Sequence, residues 1–128
     1  TDEQAIRDVV QALTFAWNNN DSPGWSAHLV EDVRYTVWNG QHAVGRETVT
    51  KAHAHLFETV YKDFRQAATV RWVRFIRDDV AAVQWDVADE ETPDLPKVRP
   101  LAVLRKKNGR WLIEIFQNTP ILPESDNN

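Results

Sequence analysis

His53 is the side chain in this 128-residue sequence best suited to proton transfer, because imidazole titrates nearer neutrality than any other side chain. It lies on or beside a stripe of Val49, Leu56, Phe57 and Val60 at helical spacing. It therefore faces either an apolar pocket, where it serves as a general acid or base, or the core, where a single hydrogen bond satisfies it. His55 is no partner for it in a metal site, since two positions on a helix are separated by about 200°. His28 and His42 bring no companion at ligand spacing. A paired-histidine motif, a calcium loop and a compact carboxylate cluster are all missing, so no metal is expected. Phosphate-cradling glycines and a Gly-x-Ser-x-Gly elbow are missing too, and no cofactor is expected.

Asp86 is a mid-strand acid between Trp85 and Val87. Strand alternation puts Asp86 and Trp85 on opposite faces, so only one of them can point inward. Tyr35 carries a phenolic hydroxyl on an aromatic body, to be used on a ligand or in wall packing. Trp17, Phe57 and Trp72 read as apolar pocket lining, with the facing of Trp72 depending on the turn at Asp78–Asp79.

The elements that must position these groups follow from periodicity. Asp2 is expected to cap a helix whose stripe is Ile6, Val9, Val10, Leu13, Ala16 and Trp17, ending at Asn18–Asp21. Ser22 and Pro23 open a second, short helix running through Trp25 and Leu29 to about Glu31. Val33–Trp38 and Gln41–Val44 read as strands about a tight Asn39–Gly40 turn, and Arg46 to about Tyr61 as a third helix. Four strands follow, at Phe64–Arg77, Val80–Asp89, Val98–Lys107 and Arg110–Thr119. Asp78–Asp79 and Asn108–Gly109 are hairpin turns, and Thr92–Pro96 is a looser connection. Helices first and a meander afterwards predict an α+β domain over residues 1–121, with the helices on one face of an antiparallel sheet and a disordered tail over 122–128.

Composition narrows the classes of function. Six Trp, five Phe and two Tyr are a heavy aromatic load, suited to a small-molecule pocket or a dimer interface as well as to a core. The net charge is −4 and the densest basic group, Arg105–Lys107 with Arg110, straddles a turn, so nucleic acid is not an expected partner. There is no cysteine, no secretory h-region and no apolar run of membrane-spanning length, so no membrane partner and a cytoplasmic location are expected. Across the Asn108–Gly109 turn, hairpin parity puts Ala102, Leu104, Trp111, Ile113 and Ile115 on one face and Leu101, Val103, Leu112 and Phe116 on the other. Helices can cover only one of these faces, so a homodimer through the sheet is expected.

The Trp17-Asn18-Asn19-Asn20-Asp21 helix end, Gly45-Arg46-Glu47 before the third helix, His53 within it and the closing Phe116-Gln117-Asn118-Thr119 resemble the SgcJ/EcaC-type proteins of the nuclear-transport-factor-2-like, SnoaL-like or cystatin-like superfamily. The resemblance spans Glu3 to Ile121. It implies three helices packed in the concave face of a strongly curved sheet, a cone with a pocket inside, and dimerisation through the sheet. It also places Asn118 toward the pocket, where its amide would bind a ligand carbonyl or hydroxyl, and Trp85 inward, leaving Asp86 for an external salt bridge. Were a bulge to reverse that parity, Asp86 would become a general base like the pocket carboxylate of the superfamily's isomerases. An epoxide-hydrolase arrangement would draw on Asp86, Arg74 and Arg99, but lacks a second aspartate. The expected function is binding of an apolar or aromatic metabolite, with His53 as the proton-transfer group of an accessory enzyme of secondary metabolism. A non-catalytic assembly domain is the alternative.

Overall fold

A computed structural model describes residues 1–123. Helix α1, Asp2–Asn18, buries the stripe its periodicity predicts, Ile6, Val9, Val10, Leu13, Ala16 and Trp17. Its cap is Thr1, whose side chain accepts from the Gln4 amide at 3.2 Å. Asp2 is instead drawn across to the sheet, accepting from Lys106 Nζ at 3.0 Å and Trp111 Nε1 at 3.1 Å. Asn20, with φ 53°, takes the left-handed conformation that stops the helix, and the Asp21 amide closes back on the Ala16 carbonyl at 2.8 Å. The Asn18 side chain then pairs with the backbone of Gln66 in both directions, donating at 3.0 Å and accepting at 2.7 Å.

Helix α2 is Ser22–Ser26, and Asp21, not Ser22, caps it through the Gly24 amide at 2.9 Å. Ser22 turns inward and donates to the Thr50 carbonyl, tying α2 to helix α3, Arg46–Glu58. The second helix ends well before Glu31 because Leu29 already belongs to strand β1, Leu29–Thr36. Backbone groups there are consumed by strand pairing, with the Ile113 amide donating to His28 at 2.7 Å. The remaining strands are β2 (His42–Val44), β3 (Gln66–Arg77), β4 (Val80–Asp89), β5 (Leu101–Lys107) and β6 (Arg110–Gln117).

These strands form one curved sheet in the order β2-β1-β6-β5-β4-β3, with the helices packed on its concave face. One pairing departs from the expected antiparallel pattern: β1 and β6 run parallel, Tyr35 opposite Phe116. No hairpin joins them, so their mutual direction was free of local turn geometry. Asn108 and Gly109, with φ of 52° and 79°, make the expected two-residue hairpin turn. The predicted Asn39–Gly40 turn is a wider loop over 37–41, closed by the Val37 amide on Gln41 at 2.9 Å. Strand β5 begins three residues later than predicted. Pro100, which has no N–H, separates it from Val98, and Val98 bridges separately to Val87 and Pro120.

A β-bulge in β6 changes the predicted faces. Val103 pairs with Ile115 and Leu104 with Ile113, so Glu114 has no opposite number. Parity flips beyond it, turning Phe116 inward (3% exposed) and Ile115 outward (44% exposed), the reverse of the expected assignment. Glu114 meets Arg105 on the outer face at 2.9 Å. The expected tail over 122–128 lies, from residue 124 onward, outside the described residues.

Candidate functional site

Between α1, α3, the 37–41 loop and residues 97–98 lies a cavity of about 490 Å³, with Trp17, Tyr35, Trp38, His53, Lys97 and Asn118 in its wall. The helical stripe carries His53 inward, where it is 5% exposed. Its Nδ1 is 3.0 Å from the Val49 carbonyl, one turn back on α3. A carbonyl only accepts, so Nδ1 carries the proton and Nε2 presents its lone pair. The Tyr35 hydroxyl, 3.4 Å away, donates to that lone pair across a long and easily exchanged contact.

Aromatic rings surround the imidazole. Trp25 stacks on it with centroids 5.1 Å apart, and Trp17, Tyr35 and Phe57 meet it edge-on at 6.0, 5.7 and 5.9 Å. Burial pushes its pKa below the ordinary 6.5, and the Val49 hydrogen bond opposes this only in part. His53 is thus held as a neutral base near physiological pH. Tyr35 is stacked on Phe116 at 4.3 Å, and burial pushes its phenol far above the usual range, keeping it a neutral donor.

Asn118 follows the end of β6, where its backbone amide donates to Thr36 at 2.9 Å and so extends the parallel pairing. Its side-chain Oδ1 is buried with no hydrogen-bond partner among the described residues. Such an orphan acceptor costs about 1–3 kcal/mol until something donates to it. A ligand hydroxyl in the cavity would do so.

The other expected site residues separate. Trp17 is in the cavity wall, and its indole N–H donates to the Phe64 carbonyl at 3.3 Å. Phe57 backs Trp17 and His53 from behind the wall, meeting Trp17 edge-on at 5.0 Å. Trp85 does point inward, but it packs behind Phe116 and does not reach the cavity. Trp72 is not a lining residue. Counted from the Asp78–Asp79 turn, a bulge at Ile76, between the Arg77–Val80 and Phe75–Ala81 pairs, turns it to the outer face, 39% exposed, with its N–H on Gln84 at 3.1 Å, and a second bulge at Arg71 returns Val70 to the inner face.

Asp86 lies on the outer face, because β4 keeps strict alternation with Val83, Trp85 and Val87 inward. Its carboxylate accepts from Arg99 Nε at 2.6 Å and lies 3.4 Å from Arg71. The Arg99 hydrogen bond, reinforced by the charges of Arg99 and Arg71, holds it below the usual carboxylate range. Its carboxylate is engaged in an ion pair outside the cavity. Arg71, not Arg74, is the second arginine, and the epoxide-hydrolase arrangement is not assembled in the cavity. Among the described residues no group of three His, Cys, Asp or Glu side chains is gathered as a metal site would need. Sequence reasoning missed Lys97, Trp38, Tyr61 and Phe64, all in the wall. For the three aromatics the one signal was the density of such residues on either side of the third helix, and Lys97 carried none.

Solved structures share this architecture. A domain of unknown function with a cystatin-like fold from Nostoc punctiforme is 29% identical, with a TM-score of 0.82 over 95% of this chain and 78% of that one. An uncharacterised cystatin-like protein from Caulobacter vibrioides is 24% identical, with a TM-score of 0.80 over 98% and 93%. A ketosteroid isomerase-like protein from Erwinia carotovora atroseptica is 23% identical, with a TM-score of 0.75 over 94% and 96%. The last two likenesses show the fold alone. No protein of curated function matches the chain. Residues 9–113 match the SnoaL-like domain, and the chain belongs to that family.

Proposed function

We propose that the chain is a cytoplasmic, homodimeric pocket protein of the SgcJ/EcaC type that binds an apolar or aromatic metabolite bearing a carbonyl or hydroxyl. His53 moves a proton on that ligand, in cofactor-independent isomerase, cyclase, dehydratase or hydrolase chemistry. The observation that carries this reading is the Val49–His53–Tyr35 hydrogen-bond chain, set in an aromatic cavity beside the unpartnered Asn118 oxygen. A proton leaving the ligand passes to Nε2, and Nδ1–H stays on the Val49 carbonyl, which supports the imidazolium that forms. Tyr35 releases Nε2 and donates to the ligand oxygen on which charge develops. Asn118 holds a second polar group of the ligand and fixes its orientation.

A cavity of about 490 Å³ is within the range of small-molecule sites. The bicyclic hydroxyketone 6-hydroxy-1-tetralone is a suitable probe, titrated calorimetrically and by tryptophan fluorescence. Saturable one-to-one binding is expected, weakened about fivefold in Asn118→Ala, the equivalent of one hydrogen bond of ~1 kcal/mol. Equal affinity in the variant would remove Asn118 from the site.

Self-association is supported by the outer face of the sheet, where Leu101, Val103 and Leu112 are half-buried and Ile115 is 44% exposed. A second copy would cover this apolar face. Sedimentation equilibrium is expected to give twice the chain mass of 14.8 kDa, and Val103→Glu to return it to the monomer. A wild-type monomer at tens of micromolar would sink the dimer. A pure assembly domain uses the same face and leaves the cavity without a ligand, so the tetralone titration separates the two readings.

A further inference from the structure

The cavity is unlike the rest of the chain in charge. Acidic residues outnumber basic ones 19 to 15 over the whole sequence. Yet no Asp or Glu is among the described residues lining the cavity, and Lys97 is the only permanently charged one. The neighbouring surface groove carries charges of both signs, with Asp63, Asp89, Glu90 and Glu91 beside Lys62 and Arg65 in its wall.

Lys97 is held in place. Its backbone amide donates to the Val87 carbonyl at 2.8 Å, and its carbonyl accepts from the Ile121 amide at 2.9 Å. Its Nζ sits over the ring of Phe64, itself a lining residue, 5.7 Å from the centroid. An aromatic face attracts the ammonium without neutralising it. Among the described residues Lys97 makes no ion pair with a carboxylate. The cavity therefore has one cation at its edge, neutral hydrogen-bonding groups at Tyr35, His53 and Asn118, and aromatic walls.

We propose that the ligand of this cavity is a monoanion, an apolar or aromatic body whose carboxylate pairs with Lys97 while its far end meets Tyr35, His53 and Asn118. This rests on the reading of the cavity as a ligand site. A single ammonium, with no arginine fork and no glycine-rich amide cradle beside it, suits one negative charge and is a poor match for a phosphate. Because Lys97 is exposed, water and salt screen the pair, and the preference is correspondingly modest.

Three ligands of matched shape test this by calorimetry at low and moderate salt: 2-naphthoate, neutral 2-naphthamide and 2-naphthylmethylammonium. In the unaltered protein naphthoate is expected to bind about two- to fivefold more tightly than naphthamide, with the gap narrowing as salt rises. Lys97→Gln should erase the gap chiefly by weakening naphthoate, and Lys97→Glu should favour the ammonium ligand. Since the side chain is exposed, both variants should keep the melting temperature. Naphthamide binding as tightly as naphthoate, or a carboxylate preference that survives Lys97→Gln, overturns the inference and leaves the pocket reading standing. Failure of all three ligands to bind defeats the pocket reading, and the inference with it.

Discussion

Replacing His53 by glutamine is expected to slow proton-transfer turnover of a bound substrate about 100- to 10,000-fold, the usual contribution of a positioned general base. Glutamine can still hydrogen-bond to Val49 or Tyr35, but it has no basic lone pair to take a proton. Substrate affinity should change much less than turnover, which distinguishes a base from a residue that merely shapes the wall. The pH profile adds a second signature. Burial lowers the imidazole pKa from 6.5, so the active neutral form persists below that value and the rate should fall only at more acid pH. Stability follows the same sign. Below 6.5 the unfolded chain binds a proton at this position that the folded chain resists, so stability drops as pH falls through that window, with a limiting slope of about 1.4 kcal/mol per pH unit. Urea melts at pH 7.5, 6 and 5 should show the slope, and His53→Gln should reduce it, leaving the share of His28, whose pKa burial also lowers. A rate limb centred above 6.5 would mean a stabilised imidazolium and would defeat the proposed role.

The largest expected loss of stability is at Trp17, where alanine should cost about 3–5 kcal/mol. This indole is the hub of the aromatic cluster. Trp25, His53, Phe57, Tyr61 and Phe64 all approach it with ring centroids between 5.0 and 6.3 Å. Its N–H also satisfies the Phe64 carbonyl, which the substitution would leave without that donor. Removing it leaves a void beside the existing cavity and frees α3 to shift, so ligand binding should weaken along with stability. Trp38, 53% exposed at the rim, is the control, and its alanine variant should lose under about 1 kcal/mol. Denaturant melts showing similar losses at the two positions would mean that Trp17 is not the packing centre described.

Much of the scaffold was legible because it rests on short-range rules. The α1 stripe follows from a 3.6-residue period, and all six of its apolar positions are buried. The Asn108–Gly109 turn requires two left-handed residues, and those two adopt the conformation readily. Strand β4 alternates from Val80 to Val87, so Trp85 and Asp86 take opposite faces as expected, and Trp85 takes the inner one as the family resemblance implied. Parity failed elsewhere. Single extra residues at Ile76 and Glu114 reversed the predicted facing of Trp72, Ile115 and Phe116, and alternation carries no mark of where a bulge will fall.

By itself the sequence determined the order of helices and strands, the helical spacing of Val49, His53 and Phe57 that carries His53 inward, and an aromatic composition fit for a pocket. Those properties depend on neighbours a few residues apart. The helix itself stops at Glu58, short of the expected Tyr61, and leaves Val60 exposed. Only the tertiary structure decided that β1 and β6 meet in parallel, that Tyr35 reaches His53 from a different element, and that, among the described residues, Lys97 is the single permanent charge on a cavity whose Asn118 oxygen has no partner. Each of those depends on segments distant in sequence being packed together, and their positions follow from the closing of the whole sheet around the helices.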